Sequence, residues 1–493
     1  MNVDSMRKNI SSGKKPLLLL AMFLLGTVLF LTFFVFEFES LRGVFLPYFI
    51  FGLLVFYLLI FKFPKDPLEP IIAVTVLYFF YFYWRGLYLN YEEYFHINWV
   101  VLDNIGLLNK AMYYATAGVL FFFIGYYLPF YRILVNRLKS IKCEWNSRII
   151  AKKAKTLFFI GLPFTITWIW DFRPFNFGAE FTPTLFMMLS QLSYMGIFVY
   201  GAHYFSRENH KQVSKRWFIF MIMTLFFISI LTGHREIAMI VLFLVIVVRQ
   251  YTKKSVSIRT LFKYILLCLV LIILLNPVIM AYREVAWQYK NKVDAFSAGV
   301  QKFPSSLNWV IDTWTEDREE VSTTYAYLNS SLNMLTFRFH GTDSLIASLA
   351  VVPEKMDFEK GRTIFFLPIS AFVPRLIWPG KPETGLGEYF RDKIWSGTGG
   401  RIAIMQISEL YINFGLIGII IGMLVLGIFH RTIYEYFRKN FNYNTLLLYA
   451  FTYPSFLAIE RDLSLVYASL IKVYIVLFFV IRYLNGKPLF KRG

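Results

Sequence analysis

The sequence predicts an all-α polytopic integral membrane protein, a helical bundle of about twelve transmembrane helices with one long external loop. Three observations carry that expectation. Of 493 residues, 57% are hydrophobic and 20% aromatic against 17% charged, a balance foreign to soluble domains. Apolar runs of roughly 15 to 21 residues, the length a ~30 Å hydrocarbon core demands of a helix, recur along the chain. Lys and Arg collect in every second loop between those runs, which is the positive-inside pattern.

The expected spans are 17–36, 44–61, 70–89, 111–130, 156–170, 184–205, 217–231, 237–248, 261–280, 411–429, 444–459 and 464–481. The first follows Arg7, Lys8, Lys14 and Lys15, exceeds the length of a signal-peptide core and lacks a small-residue cleavage site, so it is read as a retained span. Segments 156–170 and 237–248 are short for a full crossing. They are expected to borrow neighbouring residues or to dip within the bundle.

Charge then orients the chain. The basic loops hold Lys62 and Lys65, then Arg132, Arg137, Lys139, Lys142, Arg148, Lys152, Lys153 and Lys155, then Arg207, Lys211, Lys215 and Arg216. Arg249, Lys253, Lys254, Arg259 and Lys263 follow, then Arg431, Arg438 and Lys439, and finally Arg482, Lys487, Lys491 and Arg492. This alternation predicts a multi-pass protein of the cytoplasmic (inner) membrane with both termini cytoplasmic. The net charge of +20 therefore reflects topology, and no nucleic-acid partner is expected.

Three regions result: 1–280 with the first nine spans, a long external loop at 281–410, and 411–493 with the last three spans and a cytoplasmic tail. The external segment holds 14 basic and 15 acidic residues. Tyr289, Val293, Phe296, Val300 and Phe303 follow the spacing of an amphipathic helix lying on the membrane surface. A second helix is expected from Thr342 or Asp343 to Val352, stopped by Pro353. The stretch Ile364 to Trp378, interrupted by Pro368 and Pro374, reads as re-entrant or interfacial. No internal repeat is visible, which disfavours transporter folds built from matched halves.

Cys143 and Cys268 cannot make a disulfide framework, the six histidines are scattered, and no phosphate-binding glycine loop occurs. No cofactor and no metal are expected.

Candidate site residues lie at the outer ends of the spans. The hairpin Leu231–Glu236 joins two apolar runs with almost no loop and places His234 and Arg235 at the interface. Its plainer reading is an arginine reaching to phospholipid headgroups. Arg338, His340 and Asp343 bring a cation, an imidazole and a carboxylate together between aromatics; alternatively Thr342 or Asp343 simply caps a helix. Prolines stiffen the segment Phe372–Pro382, which presents Arg375 and Lys381 beside Trp378 to an anion or a stacked sugar. Arg401 follows a short glycine cluster at Gly397, Gly399 and Gly400 that is more often a plain loop than a phosphate cradle. Glu409 enters a membrane helix, where a solvated charge favoured by the helix dipole is the plainer expectation. Glu460, Arg461 and Asp462 form the turn between the last two spans, a self-neutralising ion cluster by default. Lys472 lies mid-span and requires a partner or a water-filled cavity.

Pro374-Arg375 through Trp378-Pro379 and Lys381-Pro382, then Glu409 through Asn413-Phe414-Gly415 with Gly418, and the Glu460-Arg461 turn together resemble the Wzy-type oligosaccharide repeat-unit polymerases of O-antigen and capsule synthesis. The Gly233-His234-Arg235 hairpin fits the same pattern, with histidine where members often carry serine. The resemblance implies ten to fourteen helices and an enzyme that moves a growing glycan from polyprenyl pyrophosphate onto a hydroxyl of the next lipid-linked repeat unit. It implies a diphosphate held by Arg235, Arg338, Arg375 and Arg401, with His234, Lys381 and Arg461 beside them, because planar guanidinium groups bind phosphate oxygens in pairs. Glu409 is then the first candidate for general base, with His340 and Asp343 behind it. The implied partners are the polyprenyl-pyrophosphate-linked oligosaccharide, membrane lipid, a chain-length regulator and a flippase. A flippase or transporter for the same lipid-linked sugar, and a ligase passing finished polymer to another acceptor, are the competing readings.

Overall fold

A computed structural model of the chain describes residues 43–61, 66–91, 96–97, 100–101, 105–170, 181–206, 213–232, 235–252, 339–366 and 404–486, with a few isolated residues between 294 and 387. Those residues form helices: α1 Phe45–Ile60, α2 Pro70–Tyr78, α3 Arg85–Tyr91, α4 Ile105–Tyr127, α5 Phe130–Arg137, α6 Ile150–Trp170 and α7 Phe181–Phe205. They continue as α8 Lys215–Thr232, α9 Arg235–Thr252, α10 Gly341–Val351, α11 Gln406–Lys439, α12 Tyr443–Leu457 and α13 Leu463–Leu484. Two π-helical stretches, Phe79–Trp84 between α2 and α3 and Arg362–Phe366 after α10, interrupt the regular pattern. One short antiparallel pair joins His96–Ile97 to Val100–Val101.

Five segments are long and apolar enough to cross a membrane: Pro70–Leu87, Gly106–Tyr127, Thr184–Phe205, Gln406–Lys439 and Leu463–Leu484. The protein is thus a helical membrane protein. Every expected span from 44 onward coincides with a described helix, apart from 261–280, which with 17–36 lies outside the described residues. The two short segments do borrow neighbours. Helix α6 extends N-terminally through Lys155, Lys153 and Lys152 to Ile150, and α9 runs from Arg235 to Thr252.

Close backbone approach holds α4 against α11. A Cβ on Gly125 would stand 2.1 Å from the Leu424 carbonyl oxygen, and one on Gly427 would stand 2.2 Å from that of Phe122. Small residues at a helix crossing allow this contact, which supplies dispersion where lipid offers no hydrophobic drive. On the next hairpin, Thr165 of α6 and Ser193 of α7 share a buried 2.9 Å hydrogen bond.

The loops that charge assigns to one side do share one end of the bundle. Tyr436 donates to the Lys139 carbonyl at 2.8 Å, Lys439 to Asn136 at 2.7 Å, and Lys153 to the Tyr483 carbonyl at 2.6 Å. Arg431 pairs with Glu69 at 2.6 Å, and Tyr251 and Tyr434 both donate to Asp66.

Helix α11 departs from its expected form. The hydropathy pattern starts a span at residue 411, yet helical structure begins at Gln406 and covers 34 residues in two arms. It is broken at Phe414 and Gly415, the latter at φ 63° and ψ −149°, a conformation open to glycine and strained for other residues. Beyond the break the chain runs back past its own first arm: a Cβ on Gly418 would meet the Leu410 carbonyl oxygen at 2.3 Å, and one on Gly422 the Leu410 side chain at 2.2 Å. The turn at 359–361 caps the carbonyls freed by the break. Glu359 N–H donates to Ile412 O at 3.0 Å and Lys360 N–H to Asn413 O at 3.1 Å.

The surface helix expected near Tyr289 falls almost wholly outside the described residues, as does most of 364–378. Helix α10 matches its expected limits to within a residue and ends before Pro353, but it is buried along nearly its whole length.

Candidate functional site

At the end of the bundle opposite the basic loops, polar side chains from α3, α10, the first arm of α11, the 359–366 turn and the start of α13 form one connected layer. It begins at Arg85, the first residue of α3, directly after the π-helical stretch Phe79–Trp84. Arg85 Nε and Nη2 donate to the two carboxylate oxygens of Asp343, each at 2.8 Å, with both side chains buried. A fork-to-fork pair of this kind fixes orientation as well as supplying energy.

Asp343 therefore is not the cap of α10. The N-cap position is His340, without a side-chain cap bond, and Thr342 donates instead to the Phe82 carbonyl at 2.8 Å. The π-helical region supplies both partners, so tertiary contacts replace local capping. His340 Nε2 is buried and has no hydrogen-bond partner among the described residues. Phe339 beside it stacks on Phe80 with ring centroids 5.1 Å apart.

The layer continues through Ser344, whose hydroxyl shares a 2.9 Å bond with Ser408 and accepts the Met405 N–H at 3.2 Å. Tyr411 donates to the Val352 carbonyl at 2.8 Å, fastening the first arm of α11 to the end of α10. Next to Ser408 stands Glu409, which is 0% exposed. The solvated helix-start reading of Glu409 is thereby overturned: the arm is packed between α10, the 359–366 turn and α13, and water does not reach the carboxylate.

Glu409 Oε2 accepts the backbone N–H of Leu463, the first residue of α13. Amide groups at a helix start lack intrahelical acceptors and favour negative charge. Oε1 has no hydrogen-bond partner among the described residues. Asn413, one turn on, donates to the Glu409 carbonyl at 2.8 Å and to Thr363 Oγ1 at 2.6 Å, and accepts the Gly361 N–H at 2.9 Å. Thr363, on the second π-helical stretch, accepts the Asn413 bond and also faces Glu409.

In the turn between the last two spans Arg461 acts electrostatically on Asp462, and the two carboxylates also take hydrogen bonds. Tyr81 donates to Glu460 at 2.9 Å. Asp462 is the N-cap of α13, accepting from Leu465 N–H at 2.8 Å and from the Ser464 hydroxyl at 2.6 Å. It is 5% exposed, and burial pushes its carboxyl above the ordinary range, with the two hydrogen bonds and Arg461 opposing that rise. Arg461 is exposed.

Of the residues singled out from sequence, Glu409, Asp343, His340 and Arg461 belong to this end of the bundle. Arg235 opens α9, and its side chain lies outside the described residues together with His234, Arg338, Arg375, Lys381 and Arg401. Sequence reasoning missed Arg85 and Thr363, and quoted Asn413 within a motif without giving it a role. An arginine within the apolar segment 70–89 was the available signal, because a charge at membrane depth demands a partner.

Fold and site define a polytopic helical membrane protein with a buried ionisable layer at one end of its bundle. The chain belongs to the family described as Domain of unknown function (DUF8712), whose model matches residues 140–491. No curated protein and no solved structure matches it. The matched region holds Glu409, Asp343 and Asp462; Arg85 precedes it.

Proposed function

We propose that the protein is a membrane glycosyltransferase that polymerises oligosaccharide repeat units carried on polyprenyl pyrophosphate, at the outer face of the cytoplasmic membrane, on a frame of about twelve spans with cytoplasmic termini. The observation that supports this reading is the Glu409 carboxylate: buried, anchored through Oε2 and, among the described residues, with no hydrogen bond to Oε1. A base held in fixed geometry with one oxygen available suits removal of a proton from an acceptor hydroxyl. The Arg85 pair occupies Asp343, so Asp343 and Arg85 position α10 and proton transfer rests with Glu409. In this reading Arg235, Arg338, Arg375 and Arg401, with His234, Lys381 and Arg461, hold the diphosphate and stabilise the charge that develops as it departs. The diphosphate is already an activated leaving group, so the reaction needs no nucleotide and does not of itself require a metal. Glu409 is 0% exposed among the described residues, so in this reading the acceptor hydroxyl reaches Oε1 only after a neighbouring segment moves.

A second reading, a flippase or transporter for the same lipid-linked sugar, draws support from the break at Phe414-Gly415. Discontinuous helices are a feature of transporters. Incubating the purified protein with one lipid-linked repeat unit separates the readings. A ladder of products means polymerase; a single shift with a different acceptor means ligase; no new glycosidic bond means transporter.

A further inference from the structure

The segment that follows the span Gly106–Tyr127 interleaves exposed apolar and cationic side chains on a fixed frame. Helix α5 buries Val135 against the bundle, and Tyr131 places its ring 5.2 Å from the Arg431 guanidinium. On the other side, at the three- and four-residue spacing of one helix face, stand Phe130, Ile133 and Arg137. Phe130 and Ile133 are each 50% exposed, and Leu138, just past the helix, is 48% exposed. Arg132, Arg137 and Lys139 are exposed among them. Arg132 Nε also donates to the Tyr131 hydroxyl at 3.4 Å. Between residues 130 and 149 five Lys and Arg stand against one acid, Glu144.

The backbone that continues from these cations is fastened to the turn between α11 and α12. The carbonyls of Lys139, Ile141 and Lys142 accept from Tyr436, Asn442 and Asn444, each at 2.8 Å. Trp145 stacks on Tyr443 with ring centroids 5.1 Å apart. A surface ordered before it meets its partner loses less freedom on binding. Phe130 and Ile133 follow the end of the span within two helical turns, which sets them at the height of the headgroups. A soluble polyanion would leave these apolar side chains in water. A phospholipid satisfies both kinds of group, its headgroup beside the cations and its acyl chains beside Phe130 and Ile133.

We propose that residues 128–139 form a docking surface for anionic phospholipid in the leaflet at the basic end of the bundle, the cytoplasmic leaflet by the charge rule, with Arg132, Arg137 and Lys139 holding the headgroup. Bound lipid anchors α5 and, through the 2.7 Å bond from Lys439 to Asn136, the end of α11, whatever reaction the protein performs.

A bimane fluorophore on Ile133→Cys, in the full-length protein carrying Cys143→Ser and Cys268→Ser, reports lipid at this surface. In nanodiscs, brominated phosphatidylglycerol is expected to quench it at a mole fraction on the order of tenfold below that needed with brominated phosphatidylcholine, since each basic residue near an anionic surface adds about fivefold in affinity. Arg132→Gln with Arg137→Gln and Lys139→Gln should erase the preference while both lipids still quench; all three side chains are exposed, so the variant keeps its fold. Raising the ionic strength to about 0.5 M should weaken the preference of the unsubstituted surface without any mutation. Equal quenching by the two lipids, a preference that survives the triple change or high salt, or no quenching by either lipid would each overturn the proposal. The last outcome would point to a soluble acidic partner instead.

Discussion

Glu409 and Leu463, 54 residues apart in sequence, meet as carboxylate and helix-start amide. That contact ties the broken arm of α11 to the first turn of the last span. It holds a charge-bearing group where solvent is excluded, with Asp462 as its electrostatic neighbour.

The contact predicts how Glu409 tolerates change. In Glu409→Gln the amide oxygen still accepts the Leu463 N–H, and repulsion from Asp462 disappears, so thermal unfolding in detergent should stay unchanged or shift upward. Glu409→Ala strands a buried N–H and should destabilise by about 1–3 kcal/mol. A Gln variant less stable than the Ala variant would contradict this ordering.

Arg85 and Asp343 form a buried pair, and removing either partner leaves a charge without its counterpart. Arg85→Ala and Asp343→Ala should each cost roughly 3–5 kcal/mol, whereas an apolar pair of similar volume, Arg85→Met with Asp343→Leu, should cost far less than the two single changes together. Thermal melts of the four proteins complete the cycle. Additive losses would show that the two residues do not depend on one another.

Much of this architecture was legible in the sequence, for definite reasons. Apolar runs located the described spans, and Pro353 stopped α10 where its geometry requires. The alternating Lys and Arg brought Lys139, Lys153 and Arg431 to one end of the bundle. Hydropathy registers only the apolar part of a helix, so α6 was read without Lys152, Lys153 and Lys155. The partnership of Arg85 with Asp343 spans 258 residues and leaves no local pattern. Asp343 reads as a cap and Glu409 as a solvated charge for the same reason: their burial is produced by distant elements. The break in α11 was hidden because Phe414 and Gly415 sit in an unbroken apolar run, and glycine alone does not announce a positive φ.

Gly415 offers a direct check on that break. Its φ of 63° with ψ of −149° strains any side chain, so Gly415→Ala should destabilise by about 1–3 kcal/mol. The nearest side-chain atom to an added Cβ is on Phe358 at 3.4 Å, so backbone strain rather than overlap sets the loss. An unchanged melting temperature would mean that α11 continues through this position.

In the proposed function Arg235 and Arg375 are among the arginines that hold the diphosphate. Arg235→Ala and Arg375→Ala are expected to abolish polymer while the protein still accumulates in the membrane, because removing one partner of a desolvated charge pair costs ~2–5 kcal/mol or more. Arg→Lys at either position should rescue only in part, since an ammonium cannot make the paired contacts of a guanidinium. Normal polymer length distributions in both alanine variants would remove these residues from the site.

The most direct measurement compares wild type and Glu409→Gln, both purified and folded, in the rate at which one lipid-linked repeat unit is joined to the next. Loss of a positioned base predicts a rate lower by about 10²–10⁴-fold with substrate still bound. A Glu409→Gln protein that builds the same ladder at the same rate would show that the buried carboxylate has no part in the transfer.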